Sequence, residues 1–151
     1  FFLGATANPF APPYADRIVN LEAKVEAGAQ FIQTQFCFDL KLLEQFMQRV
    51  RERNLHQRCT IIIGVGTLNT AKALGRMREM VPGVHIPDDI LTRIAQADDQ
   101  KAEGKKILIE TMQALADIEG VAGVHIMGYR NEPLLADAIR ESGVRSLKRR
   151  H

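Results

Sequence analysis

The sequence predicts an α/β fold of parallel βα units, and three observations predict it. Four short apolar runs, at 1–7 (FFLGATA), 31–38 (FIQTQFCF), 59–66 (CTIIIGVG) and 123–127 (GVHIM), are each followed by apolar residues at helical spacing. Strands alternating with helices through short loops form parallel sheets. Polar residues also stand at the C-terminal end of every run: Asn8, Gln35, Thr67, and Tyr129 to Asn131. Finally, no strand–helix junction carries a GxGxxG or P-loop pattern, and Gly64-Val65-Gly66 reads as a tight turn at a strand's end. This favours a piece of a (β/α)8 barrel, whose sites are built on the C-terminal strand ends, over an open doubly wound sheet. A whole barrel takes ~250 residues. Four units in 151 residues therefore make half of one.

Each element has a local reason. Asn8-Pro9 ends the first strand, and Pro9, Pro12 and Pro13 make a rigid loop. A helix begins at Tyr14 or Ala15 and runs to Ala27, with Ile18, Leu21 and Val25 on one face and Gly28 as its stop. Asp39 caps a helix over 40–54, with Leu43, Phe46, Met47 and Val50 inward and Arg49, Arg51 and Arg53 near its end. The β-branched run 59–66 reads as a strand buried on both faces, and His125, in the fourth run, reads as a satisfied core histidine of a buried strand. Asn69 or Thr70 caps a helix through Met80, and Met77 and Met80 read as core. A short helix follows Ile86-Pro87, with Ile90, Leu91 and Ile94 inward. Asp98-Asp99 opens a longer helix over 98–118 that Gly120 stops, and 132–142 is the last helix.

Composition narrows the function classes. The chain is 46% hydrophobic and 25% charged, the balance of one globular domain, taken here as 1–144. A net charge of +2, with no basic stripe interleaved with aromatics, excludes a nucleic-acid partner. The basic cluster at 145–151 (RSLKRRH) reads as a frayed, disordered, solvated tail. No apolar run reaches the roughly 20 residues of a membrane helix. Cys37 and Cys59 form no CxxC and have no histidine at metal spacing, so they read as reduced thiols of a cytoplasmic protein, with no metal site. The opening Phe-Phe-Leu-Gly, strand-like and without methionine, reads as the edge of a piece of a longer protein.

The stretch 24–39 (KVEAGAQFIQTQFCFD) carries the strongest candidates. Gln33, Thr34 and Gln35 interrupt a buried strand, and a buried amide must be satisfied by the protein or face a ligand. Gln33 and Gln35 share a face by strand alternation. Asn20 and Lys24, four residues apart, share a helix face.

On these segments the chain resembles the methylenetetrahydrofolate reductase family. The resemblance is carried by Leu3-Gly4-Ala5 through Asn8-Pro9, Asn20-Leu21, Lys24-Val25-Glu26-Ala27-Gly28-Ala29, and Phe31-Ile32-Gln33-Thr34-Gln35-Phe36. It continues through Ile62-Ile63-Gly64-Val65, the Ile86-Pro87 helix start, and Gly120-Val121 to Gly123-Val124-His125-Ile126. The wording is nearest to that of acetogen-type bacterial reductases. The resemblance implies a (β/α)8 barrel with FAD (or FMN) at its strand ends and NAD(P)H as electron donor. It implies reduction of 5,10-methylenetetrahydrofolate to 5-methyltetrahydrofolate, a step of one-carbon metabolism and methionine biosynthesis. By position it assigns Gln35 to the pterin, Met77 and Asn131 to the folate, and Thr6, Asn8, Asn20 and Lys24 to the flavin.

Departures accompany it. A second basic residue is replaced by Ala23 and an acidic flavin contact by Arg17, while family prolines are replaced by Ile63 and Thr67. The family's acid–base glutamate lies on earlier strands, so no catalytic residue is expected in this chain and it is expected to be inactive alone. The implied partners are the missing N-terminal half of the barrel, and a second copy or an electron-delivering subunit. Two other readings stand beside this one. The first is a βα-barrel lyase or aldolase, which needs a strand-end lysine or phosphate-binding glycines. The second is a non-catalytic half-barrel subunit, since four strands leave two open edges.

Overall fold

The computed structural model describes residues 1–128 and 130–146; Tyr129 and residues 147–151 of the basic tail lie outside the described residues. Strands β1 (Gly4–Ala7), β2 (Phe31–Phe36), β3 (Thr60–Gly66) and β4 (Gly123–Met127) form one sheet in the order β1-β2-β3-β4. Every pairing is parallel. The connections are helical: α1 (Tyr14–Glu26) follows β1, and α2 (Leu40–Glu52) and α3 (Leu55–Arg58) follow β2. Helices α4 (Ala71–Met80), α5 (Asp88–Ala95) and α6 (Gln100–Ala116) follow β3, and α7 (Glu132–Ser142) follows β4. An α/β fold with four parallel strands in sequential order is what the alternating pattern predicts.

Side-chain caps set the starts of α2, α4 and α6. Asp39 Oδ1 accepts from Leu42 N at 2.9 Å and Asp99 Oδ1 from Ala102 N at 3.0 Å. Between Asn69 and Thr70 the cap is Thr70, whose hydroxyl accepts from Ala73 N at 3.1 Å. The helix expected over 40–54 is α2, ending at Glu52, and a short α3 that the sequence reading did not expect follows it. Asn54 adopts a left-handed conformation (φ 55°), which asparagine tolerates, and the chain restarts as α3. Arg145 and Ser146, expected to begin the tail, form a single 3-10 turn with Val144.

The core explains the sheet's orientation. Ile32 of β2, Ile61, Ile63 and Val65 of β3, and the half-buried Ala5, Ala7, Val124 and Ile126 pack into one apolar cluster with α1, α2, α6 and α7. Residues alternating with them point the other way, where Thr6 and His125 are exposed and Gln33 and Ile62 only half-buried. The main core therefore covers one face of the sheet. This corrects two expectations. The open face of β3 is only partly covered, with Thr60 exposed and Ile62 half-buried but Gly64 and Gly66 buried, and His125 is exposed on that face, not a core histidine. A second, smaller cluster of Leu68, Leu74, Val84, Ile86, Ile94 and Ile107 joins α4, α5 and α6. Met77 is half-buried against it, whereas Met80, read as core, is 75% exposed.

The pairing of β2 with β3 shifts register between Gln33 and Phe36: Gln33 lies opposite Ile62, and Phe36 opposite Gly64. One extra residue in β2 is a β-bulge, which leaves backbone groups without ladder partners. Side chains supply them. The buried Thr34 hydroxyl accepts from Gly64 N at 3.0 Å and donates to Gln35 O at 2.9 Å. The Gln35 side-chain oxygen accepts from Phe36 N at 3.0 Å. The bulge also breaks the strand alternation that was expected to give Gln33 and Gln35 one shared direction.

Replacing Thr34 by valine keeps its shape but orphans the buried Gly64 amide, so stability should fall by about 1–3 kcal/mol in urea unfolding, with Thr34→Ser much milder. Gly104 of α6 lies against β3's following loop, where a Cβ would sit 1.6 Å from the Leu68 carbonyl oxygen. Gly104→Ala should therefore lower stability by about 2 kcal/mol, backbone overlap outweighing the ~1 kcal/mol gain in helix propensity. Cys37 and Cys59 are buried and unpaired. Burial, reinforced by the charge of Asp39, pushes the Cys37 thiol from 9.0 up to about 12. It should resist alkylation in the native state at neutral pH. Its contribution to stability is complete below pH 9.0 and should be lost as pH climbs towards about 12, readable as a falling unfolding midpoint.

Candidate functional site

The candidate residues gather at the C-terminal ends of the strands, each held by a different device. At the end of β2 the bulge places Gln35. Its oxygen is tied to the Phe36 amide, and its NH2 group has no partner among the described residues. A carbonyl oxygen has two lone pairs, so the side chain retains one acceptor position and two N–H donors.

At β1 the ammonium of Lys24 donates to the Thr6 carbonyl at 2.6 Å. β1 is an edge strand, and a lysine there satisfies a strand backbone that lacks a neighbour. Among the described residues Lys24 pairs with no carboxylate, which leaves two of its N–H donors for an anion. The Thr6 residue is exposed on the open face, and Asn20 is exposed on α1 without a hydrogen bond to the described residues. Asn8 has a different part. Its oxygen accepts from Phe10 N at 3.0 Å and its nitrogen donates to Gly83 O at 2.9 Å, which straps the loop between α4 and α5 to the end of β1. Arg17 holds the proline loop through the carbonyls of Ala11 and Pro12, at 2.7 and 2.9 Å.

The ends of β3 and β4 are joined by amides. Asn131 donates to Asn69 Oδ1 at 3.1 Å and lies 3.5 Å from the Thr67 hydroxyl. A second tie from the α4–α5 loop reaches β2's end, with His85 Nε2 3.3 Å from Asp39 Oδ2. Helices α4 and α5 are thereby fastened over the strand ends, and α5 is fixed to α6 by Arg93. The Arg93 guanidinium bonds Glu103 at 2.6 Å and Glu110 at 2.7 and 3.1 Å. Those bonds hold the Glu110 carboxyl below the usual carboxylate range and push Arg93 up.

Of the residues singled out from sequence, Thr6 and Lys24 meet directly, Asn131 joins Thr67 and Asn69, and Gln35 stands on the bulge. Met77 packs into the second apolar cluster, and Asn20 faces solvent. Tyr129, among the expected strand-end residues, lies outside the described residues. Sequence reasoning missed the straps at Gly83 and His85, because nothing local marks a loop that closes on strand ends 46 or more positions earlier. It also passed over Phe36, although an aromatic directly after Gln35 was there to be noticed. Among the described residues no three His, Cys, Asp or Glu side chains could hold a metal ion, and no helix is long and apolar enough to cross a membrane.

Comparison with known proteins bears on the family and the fold. A probable methylenetetrahydrofolate reductase (NADPH) of Caenorhabditis elegans is 26% identical over 144 residues, which is 93% of this chain and 21% of that protein. A solved structure, an uncharacterized protein from Clostridium thermocellum that binds two copies of 5-methyl-5,6,7,8-tetrahydrofolic acid, shares the fold with a TM-score of 0.66 at 17% identity. The match covers 95% of this chain and 54% of that one. The chain thus spans about a fifth of the curated relative's length and about half of the solved one's. Residues 6–143 match the family model for methylenetetrahydrofolate reductase, and the chain belongs to that family.

Proposed function

We propose that this chain is the C-terminal half of a flavin-dependent (β/α)8 reductase barrel, which converts 5,10-methylenetetrahydrofolate to 5-methyltetrahydrofolate with NAD(P)H as donor. The observation that carries the reading is the open face of the sheet. Parallel sheets are covered on both faces, yet here the helices of the main core lie on one. The polar strand-end residues stand beside the uncovered face. The other half of a barrel, with strands to pair at the β1 and β4 edges, would cover it, and 1–144 would be this half's domain. Two unpaired buried thiols suit a reducing cytoplasm.

In this reading Gln35 binds the pterin edge through its spare acceptor and donors. Asn131, oriented by Asn69 and Thr67, contacts the folate beside it. The residues at β1 fit a flavin, because Lys24 has no acidic partner and keeps donors for a phosphate, with Thr6 and Asn20 as polar neighbours. Bound there, FAD or FMN would carry hydride from the nicotinamide to the folate's methylene carbon. Asn8 and Met77 serve the site indirectly. Asn8 straps the α4–α5 loop over the strand ends and Met77 packs beneath that helix pair, which shields the strand ends from water. The proton chemistry falls to the other half.

The test is purification of the protein that carries this chain, with flavin absorbance and 5-methyltetrahydrofolate titration as readouts. Gln35→Ala should weaken folate binding about tenfold, the loss of roughly 1.4 kcal/mol expected for a ligand hydrogen bond, while leaving flavin absorbance intact. Unchanged folate affinity would remove the pterin role.

A further inference from the structure

Strand β2 ends in an aromatic ring that neither apolar cluster absorbs. Phe36 lies opposite Gly64 in the register. Ile63 and Val65 are buried in the helix-packed core, so the side-chain directions of Gly64 and Gly66 lie on the open face. A Cβ on Gly66 would stand 2.3 Å from the Phe36 ring and 2.9 Å from the Met127 carbonyl. The edge of the ring thus rests where β3 has no side chain, and a glycine there is what makes room for it. Phe38 stacks on it, with centroids 5.8 Å apart and planes inclined by 16°. Phe38 is itself seated against the second apolar cluster. Phe36 is therefore fixed by strand and neighbour, yet it stays partly exposed. The next residue back along the chain is Gln35, whose NH2 group has no partner among the described residues.

An immobilised aromatic face beside a spare amide recognises a flat heterocycle, the face by stacking and the amide by hydrogen bonds. We propose that Phe36 is the stacking platform of the site, taking the planar pterin of a reduced folate against its ring while Gln35 reads the pterin's edge. The proposal rests on the folate reading above and adds a residue and a specificity to it. Gly66 is a positioning residue, since it acts by leaving room for the ring's edge.

The experiment titrates the protein that carries this chain, wild type and variants, with 5-methyltetrahydrofolate. It follows affinity by calorimetry and stacking by the ultraviolet difference spectrum of the pterin, with circular dichroism to confirm folding. Phe36→Leu should weaken binding about tenfold and abolish the stacking difference band, while Phe36→Tyr should keep both. Gly66→Ala, which keeps the aromatic but lifts it, should lose the band as Phe36→Leu does, and it decides the matter if Phe36→Leu fails to fold. Gln35→Ala should weaken binding and retain the band. Wild-type binding with Phe36→Leu unchanged in affinity and spectrum would overturn the platform and leave the folate reading standing. No binding by the wild type would overturn both.

Discussion

The bond from the Gly64 amide to the Thr34 hydroxyl holds the centre of the sheet together where its ladder is interrupted. β2 carries one residue more than β3 can match, and at that mismatch the buried Gly64 amide donates to the Thr34 hydroxyl at 3.0 Å. Much of the candidate site hangs on this repair. The bulge ends the simple alternation of β2, ties the Gln35 side-chain oxygen to the Phe36 amide of its own strand, and sets Phe36 against β3's Gly66. A bulge beside a site is a means of re-aiming side chains. Here it explains why the polar residues of a buried strand are Thr and Gln: each supplies to the backbone what the partner strand cannot.

A second constraint is that the main core packs against one face of the sheet. Alternation sorts each strand into an apolar set that meets the helices and a mixed set that does not. Glycines are frequent in the mixed set, and larger residues spread over the space they leave. Phe31 covers Gly4, Met127 reaches Gly64 and Phe36 covers Gly66. Aromatic pairs stand at both ends of this face, Phe2 with Phe31 at one and Phe36 with Phe38 at the other. Such a surface is levelled for contact, which fits a face completed by other chain or ligand.

The strand ends are fastened from above by long-range polar ties. Asn8 to Gly83 and Asp39 to His85 connect β1 and β2 to a loop far along the chain, and Asn131 to Asn69 connects β4 to β3. Each tie spends an amide, carboxylate or imidazole on positioning. Several polar strand-end residues are thereby bonded into the scaffold, and Asn8 is the clearest example. The salt bridges of Arg93 extend the same scaffold to α6, so the helix pair over the strand ends is anchored at both of its margins.

Periodicity determined the order of the elements, their type and most of their limits, because a buried stripe at spacing two or 3.6 is a local property of the chain. Capping residues did the same for helix starts at Asp39, Thr70 and Asp99, where a side chain and an amide three residues on suffice. Motif wording sufficed for the family, which the match over 6–143 shows. Tertiary structure decided the rest. Strand residues such as Ile62 and His125 look buried to a local reading, but burial depends on which elements lie across the sheet. Whether Gln35 faces along or out of its strand depended on a register shift against β3, and Asn8's partner was a loop carbonyl 75 positions away. These outcomes belong to pairs of distant residues, and a single sequence records each partner without recording that they meet.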